Sequence, residues 1–152
     1  MKHFRPALHR GFTLIELLVV IGILAVLLAI TLIAINPARQ FSQANNTKRS
    51  SDVNAILNAV GQYAADNRGV LPTGITTATQ NIAKTGADVC EQLQTLYLAA
   101  LPADPLSNNG AAISDCTTNY DTNYTIVRSA ADNRITVTAP AAELGSVISV
   151  TR

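Results

Sequence analysis

Residues 10–35 read RGFTLIELLVVIGILAVLLAITLIAI, and the 24 residues from Phe12 to Ile35 carry a single charge, Glu16. At the helical rise those 24 residues extend about 36 Å, more than the roughly 30 Å of a bilayer's hydrocarbon core. The run is apolar nearly all round, so a helix made of it cannot hide its surface within one small domain. Gly22 weakens it by about 1 kcal/mol relative to Ala. A carboxylate at the centre of such a segment costs on the order of 2.5–3.5 kcal/mol on insertion scales. Glu16 therefore calls for a partner.

Upstream, residues 1–11 hold Lys2, Arg5 and Arg10 with His3 and His9, and no acid. A basic flank stays on the cytoplasmic side, which predicts that everything after Ile35 faces the far side of the membrane. Two ordinary readings compete. A cleaved secretory signal has an apolar stretch of about 7–15 residues closed by a small-x-small site, and this run is longer and lacks such a site close behind it. An uncleaved signal anchor, with Glu16 near the membrane edge, fits the physics.

Gly11-Phe12-Thr13-Leu14-Ile15-Glu16, behind basic residues and ahead of an apolar helix, resembles the class III signal peptide of type IV pilins and pseudopilins. The resemblance implies that a prepilin peptidase cuts after Gly11 on the cytoplasmic face and methylates the new amino terminus at Phe12. The apolar run is then kept. Cleavage places an α-ammonium four residues ahead of Glu16, and methylation preserves its charge. A buried carboxylate beside a buried ammonium forms a charge-assisted pair that offsets much of the desolvation penalty. In the family this pair runs between neighbouring subunits, which makes Phe12 and Glu16 the expected assembly residues. Pairing of Glu16 with its own chain's amine, or a protonated Glu16 in lipid, remains open.

The same resemblance implies a structural subunit of a bacterial type IV pilus. Its partners would be membrane lipid first, then the prepilin peptidase, a membrane assembly platform and further copies of itself in a helical filament. It would begin in the inner membrane and end in an extracellular pilus. Two alternatives stand beside this: a pseudopilin of a type II secretion or competence system, and a singly anchored exterior domain that binds a ligand and never polymerises.

Composition narrows the chemistry. Of 11 basic residues, Lys2, Arg5 and Arg10 leave with the leader, so 8 remain against 10 acids, a net of −2. That balance is no footprint for direct nucleic-acid binding. Both His and the single Met also lie in the leader, and the chain has no Trp. A Ser-His or Cys-His nucleophile pair and a His-ligated zinc are then unavailable to the mature chain. The glycines after the membrane run show no phosphate-loop spacing. No catalytic residue and no enzymatic activity are expected.

The rest of the chain predicts α+β architecture of the pilin type, in four parts. Residues 1–11 are the leader and 12–35 the transmembrane and assembly helix. Residues 36–67 continue as an amphipathic helix, and 68–152 form a globular head. The spacing of Val53, Ile56, Leu57, Val60, Tyr63 and Ala64 is helical, while residues 41–51 are polar and prone to fraying. One helix from Phe12 to about Asn67 is predicted, kinked near Asn36-Pro37 and stopped by Gly69 in a left-handed cap. Residues 70–87 read as loop, Asp88 to Leu101 as a short helix, and 106–121 as a connecting loop. The period then changes to two. Asn123–Arg128, Arg134–Ala139 and Ser146–Thr151 predict a three-stranded antiparallel sheet laid on the face from Val53 to Ala64.

Cys90 and Cys116 are the only cysteines and follow the anchor. On the oxidising side a disulfide between them is expected, two buried free thiols being the other reading. It would resemble the bounded loop near the end of many pilins, here closing ahead of the predicted strands. Leu101-Pro102-Ala103-Asp104-Pro105 resembles a segment of major pseudopilins near a calcium loop. On that resemblance Asp104, Asp115 and Asp121, with Ser107 and Asn108, are candidate calcium ligands, against an ordinary solvated turn and no metal. Arg39, Lys48 and Arg49 form a cationic band just past the membrane run, available to lipid phosphate, to an acidic patch on a sister subunit, or simply to solvent.

Overall fold

The structure, a computed structural model, describes residues 11–152. Lys2, His3, Arg5, His9 and Arg10 of the basic leader lie outside the described residues. The chain forms two compact units that divide between Gln40 and Phe41.

The first unit holds α1, Leu14–Ile35, in which no side chain is buried. Its 22 residues give about 33 Å of rise, enough to cross a bilayer core. The single helix predicted from Phe12 to Asn67 is corrected: Asn36 stands in the left-handed region at φ 46° and ends α1. A second helix, α2, begins at Pro37 and runs to Asp66. The cause is local. Pro37 disfavours α geometry in the residue before it and supplies no N–H, so it suits only the first position of a helix. Asn is among the few residues that tolerate a left-handed backbone. The Asn36 carbonyl and side-chain oxygen both accept from the Arg39 N–H, at 3.1 and 3.4 Å, and so restart the helix. At the far end the predicted stop holds: Gly69 has φ 86°, and its N–H donates to the Ala64 carbonyl at 2.7 Å.

In the second unit, Val53, Ile56, Leu57 and Val60 of α2 are buried and belong to the hydrophobic core. Facing them is a four-stranded antiparallel sheet in the order β1-β2-β3-β4: Gln80–Ala83, Asp121–Arg128, Ile135–Ala139 and Ile148–Thr151. The three strands read from the period-two pattern are present, with Tyr124, Ile126, Ile135, Val137 and Ala139 on the buried face. The prediction of three strands is corrected by β1. Its sequence, Gln-Asn-Ile-Ala, has no alternation to mark it. It forms because β2 offers an edge, with Gln80 opposite Ile126 and Asn81 opposite Thr125. Gly86 completes the corner, since a Cβ there would collide with the Asn81 carbonyl.

The helix predicted from Asp88 to Leu101 is corrected to a single turn, α3, Cys90–Leu93. Gln94 is extended, at φ −69° and ψ 152°, and ends it, and Thr95 follows at φ 73°. Leu93 and Leu101 still reach the core, but Leu96, placed on the same side by helical spacing, is 81% exposed. Leu101 instead pairs with Ile113 as an isolated antiparallel bridge.

Cys90 and Cys116 form a disulfide with Cα atoms 5.5 Å apart. The two cysteines are 26 residues apart in sequence. A loop of that length is worth about 3.5 kcal/mol in the chain-entropy account. Replacing both cysteines by serine is expected to lower the unfolding free energy by about that amount. Denaturant titration of the disulfide-bonded parent against the double-serine chain checks it, and an unchanged midpoint would count against the loop-entropy account.

Candidate functional site

The front of α1 is built by four residues. Thr13 is extended, at φ −81° and ψ 150°, and caps the helix. Its hydroxyl accepts from the Glu16 N–H at 3.3 Å. Glu16 reaches back and accepts from the Thr13 N–H at 2.8 Å and from the Thr13 hydroxyl at 2.7 Å. This is a reciprocal capping box, and its carboxylate also sits at the positive end of the helix dipole. Gly11 and Phe12 precede the cap in an irregular backbone, with Phe12 82% exposed. The sequence reading assigned Glu16 one job, pairing with an ammonium. The structure gives it a second in the single chain, closing its own helix. The signal for this, Thr-x-x-Glu ahead of an apolar run, was present in the sequence.

The remaining candidates are scattered. Asp115 and Asp121 line one hollow of about 240 Å³ together with Asn108. Asp115 accepts from the Thr117 hydroxyl and N–H, which hold its carboxyl below the usual range. Asp121 accepts from the Asn123 N–H at 2.8 Å. Asp104 is elsewhere, 1% exposed, and receives two bonds from Arg49. Among the described residues no three His, Cys, Asp or Glu side chains converge as a metal group.

Arg49 and Lys48 are not a free cationic band. Arg49 has no exposed surface. Its Nε and Nη2 donate to Asp104 at 2.6 and 3.2 Å, and its Nη1 donates to Glu143 at 2.8 Å. Lys48 donates to Asp52 at 2.8 Å and to the Ala103 carbonyl at 3.0 Å. Glu143 lies in the loop between β3 and β4. It also accepts from the Ser42 hydroxyl and the Asn45 amide, while the Asn46 side chain clamps its N–H and carbonyl. The polar stretch of α2 that was expected to fray is thus held by a loop nearly a hundred residues away in sequence. Burial, and then a hydrogen bond to Asp52, push the hydroxyl pKa of nearby Tyr124 upward.

The Glu143 contacts carry a pH dependence. Hydrogen bonds from Arg49 first, then from Asn45 and Ser42, hold the Glu143 carboxyl below its ordinary value. A carboxyl lowered by folding adds stability above its unfolded pKa, about 4.3, and that stability is lost as pH falls through the folded value. Amide exchange at Glu143, referenced to a core amide such as Val137, should therefore accelerate below about pH 4.3. Exchange that tracks the core at every pH would remove the latch role from Glu143.

Comparison with known proteins points to the same end of the chain. A family model described as the prokaryotic N-terminal methylation motif matches residues 7–32. The type IV major alpha-pilin of Moraxella bovis is 29% identical over 123 residues, covering 79% of this chain and 75% of the relative. No solved structure matches the chain significantly. The methylation motif at the front, the similarity along most of the length and the α+β fold make this chain similar to the type IV pilins.

Proposed function

We propose that this protein is a prepilin, cut between Gly11 and Phe12, methylated on the Phe12 amine, and polymerised through α1 into a helical pilus filament. The observation that carries the reading is α1 itself, which buries no side chain yet begins on a methylation motif. Such a surface is stable in lipid, and it is stable among copies of itself. It is unstable in water. The single subunit waits in the inner membrane with its second unit on the exterior side and leaves by joining a growing fibre. Neither Thr13 nor Glu16 does chemistry on a substrate, and the role is structural.

Mass spectrometry of protein purified from cells tests this. The expected species begins at Phe12 and carries one added methyl group on its amine. A chain still beginning at Met1 would reduce the protein to a plain anchor. One beginning beyond Ile35 would make the apolar run an ordinary discarded signal.

A further inference from the structure

β2 ends on Arg128. Its main chain is engaged: it faces Ile135 in the sheet, and its N–H donates to the Thr76 carbonyl at 2.9 Å. Its side chain is not. Among the described residues the Arg128 Nε is the one buried side-chain nitrogen or oxygen with no hydrogen-bond partner. None of the ion pairs there engages this guanidinium. An unsatisfied buried donor is destabilising, more so when charged.

The surroundings show what would satisfy it. Arg128 lines a hollow of about 490 Å³ together with Gly69, Val70, Pro72, Thr73 and Asn133. Two turns frame this hollow through left-handed residues, Gly69 at φ 86° and Asn133 at φ 58°. No acid lines it. The acid closest in sequence, Asp132, lies against Arg134 at 3.5 Å. The Thr73 N–H donates to Gln92, and the Thr73 hydroxyl accepts from the Gln92 amide. That leaves a forked guanidinium and an asparagine lining one hollow with no negative charge in the wall. A planar or tetrahedral oxyanion takes such a fork through two parallel N–H···O bonds.

We propose that this hollow is an oxyanion-binding site, in which Arg128 holds a carboxylate or phosphate and Asn133 supplies a second donor. The anion comes either free from the medium or as an acidic side chain of a second copy of the chain. Glu91, whose side chain is 66% exposed and held only at 3.6 Å by Lys84, is one carboxylate for the second route. The site itself does not depend on the pilin reading. Only the second source does.

The test uses the full mature chain in detergent micelles, with nitrogen-labelled arginine observed by NMR. Titration with inorganic phosphate, and separately with succinate, is expected to move the Arg128 Nε–H signal along a saturating curve. Arg128→Gln removes the signal, and calorimetric titration of that variant is expected to show no saturable binding. Arg128→Lys keeps the charge without the fork and, by the same calorimetry, should bind about tenfold more weakly than the parent. Saturation in micelles identifies a free anion. No shift in micelles, but a displaced Arg128 signal in assembled fibres, identifies a carboxylate of the neighbouring copy. A shift that rises linearly without saturating, or that the Arg68 signal shares, is charge screening and overturns the site. No shift in either sample also overturns it. If no fibres form, the pilin reading has failed, and the micelle titration alone decides this one.

Discussion

A chain carrying Glu16→Ala is expected to insert into the membrane as well as the parent does and to enter no filament. Two roles of Glu16 must be separated for that result to mean anything. In the single chain its carboxylate completes the capping box with Thr13. Losing a cap destabilises a helix end by about 0.5–2 kcal/mol. In the filament the proposed role is pairing with the methylated ammonium of a neighbour. Glu16→Gln keeps an acceptor of the same length, which serves a capping box, but removes the charge. Thr13→Ala removes the cap and leaves the carboxylate. If charge pairing drives assembly, Glu16→Gln fails like Glu16→Ala, and Thr13→Ala still yields fibres. The reverse pattern, fibres from Glu16→Gln and none from Thr13→Ala, would make helix capping the deciding factor and sink the pairing mechanism. Electron microscopy of sheared fibres, with membrane fractionation as the insertion control, reads both outcomes.

The second unit should be most sensitive at Asp104. Removing it leaves the Arg49 guanidinium with no exposed surface and only one carboxylate, Glu143, still in reach. Breaking one side of a buried pair destabilises by about 3–5 kcal/mol, because the remaining charge keeps its desolvation penalty and loses its compensation. Asp104→Ala is expected to fall in that range, seen as a lowered denaturant midpoint at unchanged slope. Replacing both partners with apolar residues, Arg49→Met with Asp104→Leu, should recover most of the loss, since no charge is then stranded. An Asp104→Ala chain that loses no more than about 1 kcal/mol would show the pair behaving as an exposed one. The pair also ties the first half of α2 to the segment between β1 and β2, so its loss should release protection along residues 41–51 before the core opens.

Some of this organisation was legible because it is local. Nothing within the apolar run can shield it. Thus α1 and its requirement for lipid or sister helices follow from residues 12–35 alone. The face Val53, Ile56, Leu57 and Val60 reads at helical period, and β2 to β4 at period two. The left-handed Gly69 was visible because only its neighbours matter. The break at Asn36 was half visible: Pro37 announced it, but a kink and a full stop with a restarted helix differ only in the backbone that Asn36 adopts.

What the sequence could not show is whatever needed a partner far along the chain. β1 has no pattern of its own and exists as a strand only against the edge of β2. Val89, Leu93 and Leu101 kept their burial, while the helix meant to carry them shrank to Cys90–Leu93 under the demands of the disulfide and the Leu101–Ile113 bridge. Arg49 looked like one more exposed cation among polar residues. Its burial rests on Asp104, 55 residues away, and on Glu143, 94 residues away. The sequence by itself determined which surfaces must leave water, because hydrophobicity and its period belong to short windows. Only the tertiary structure decided which charges could leave water with them, because a buried ion is tolerable only where the fold delivers its counter-charge at bonding distance.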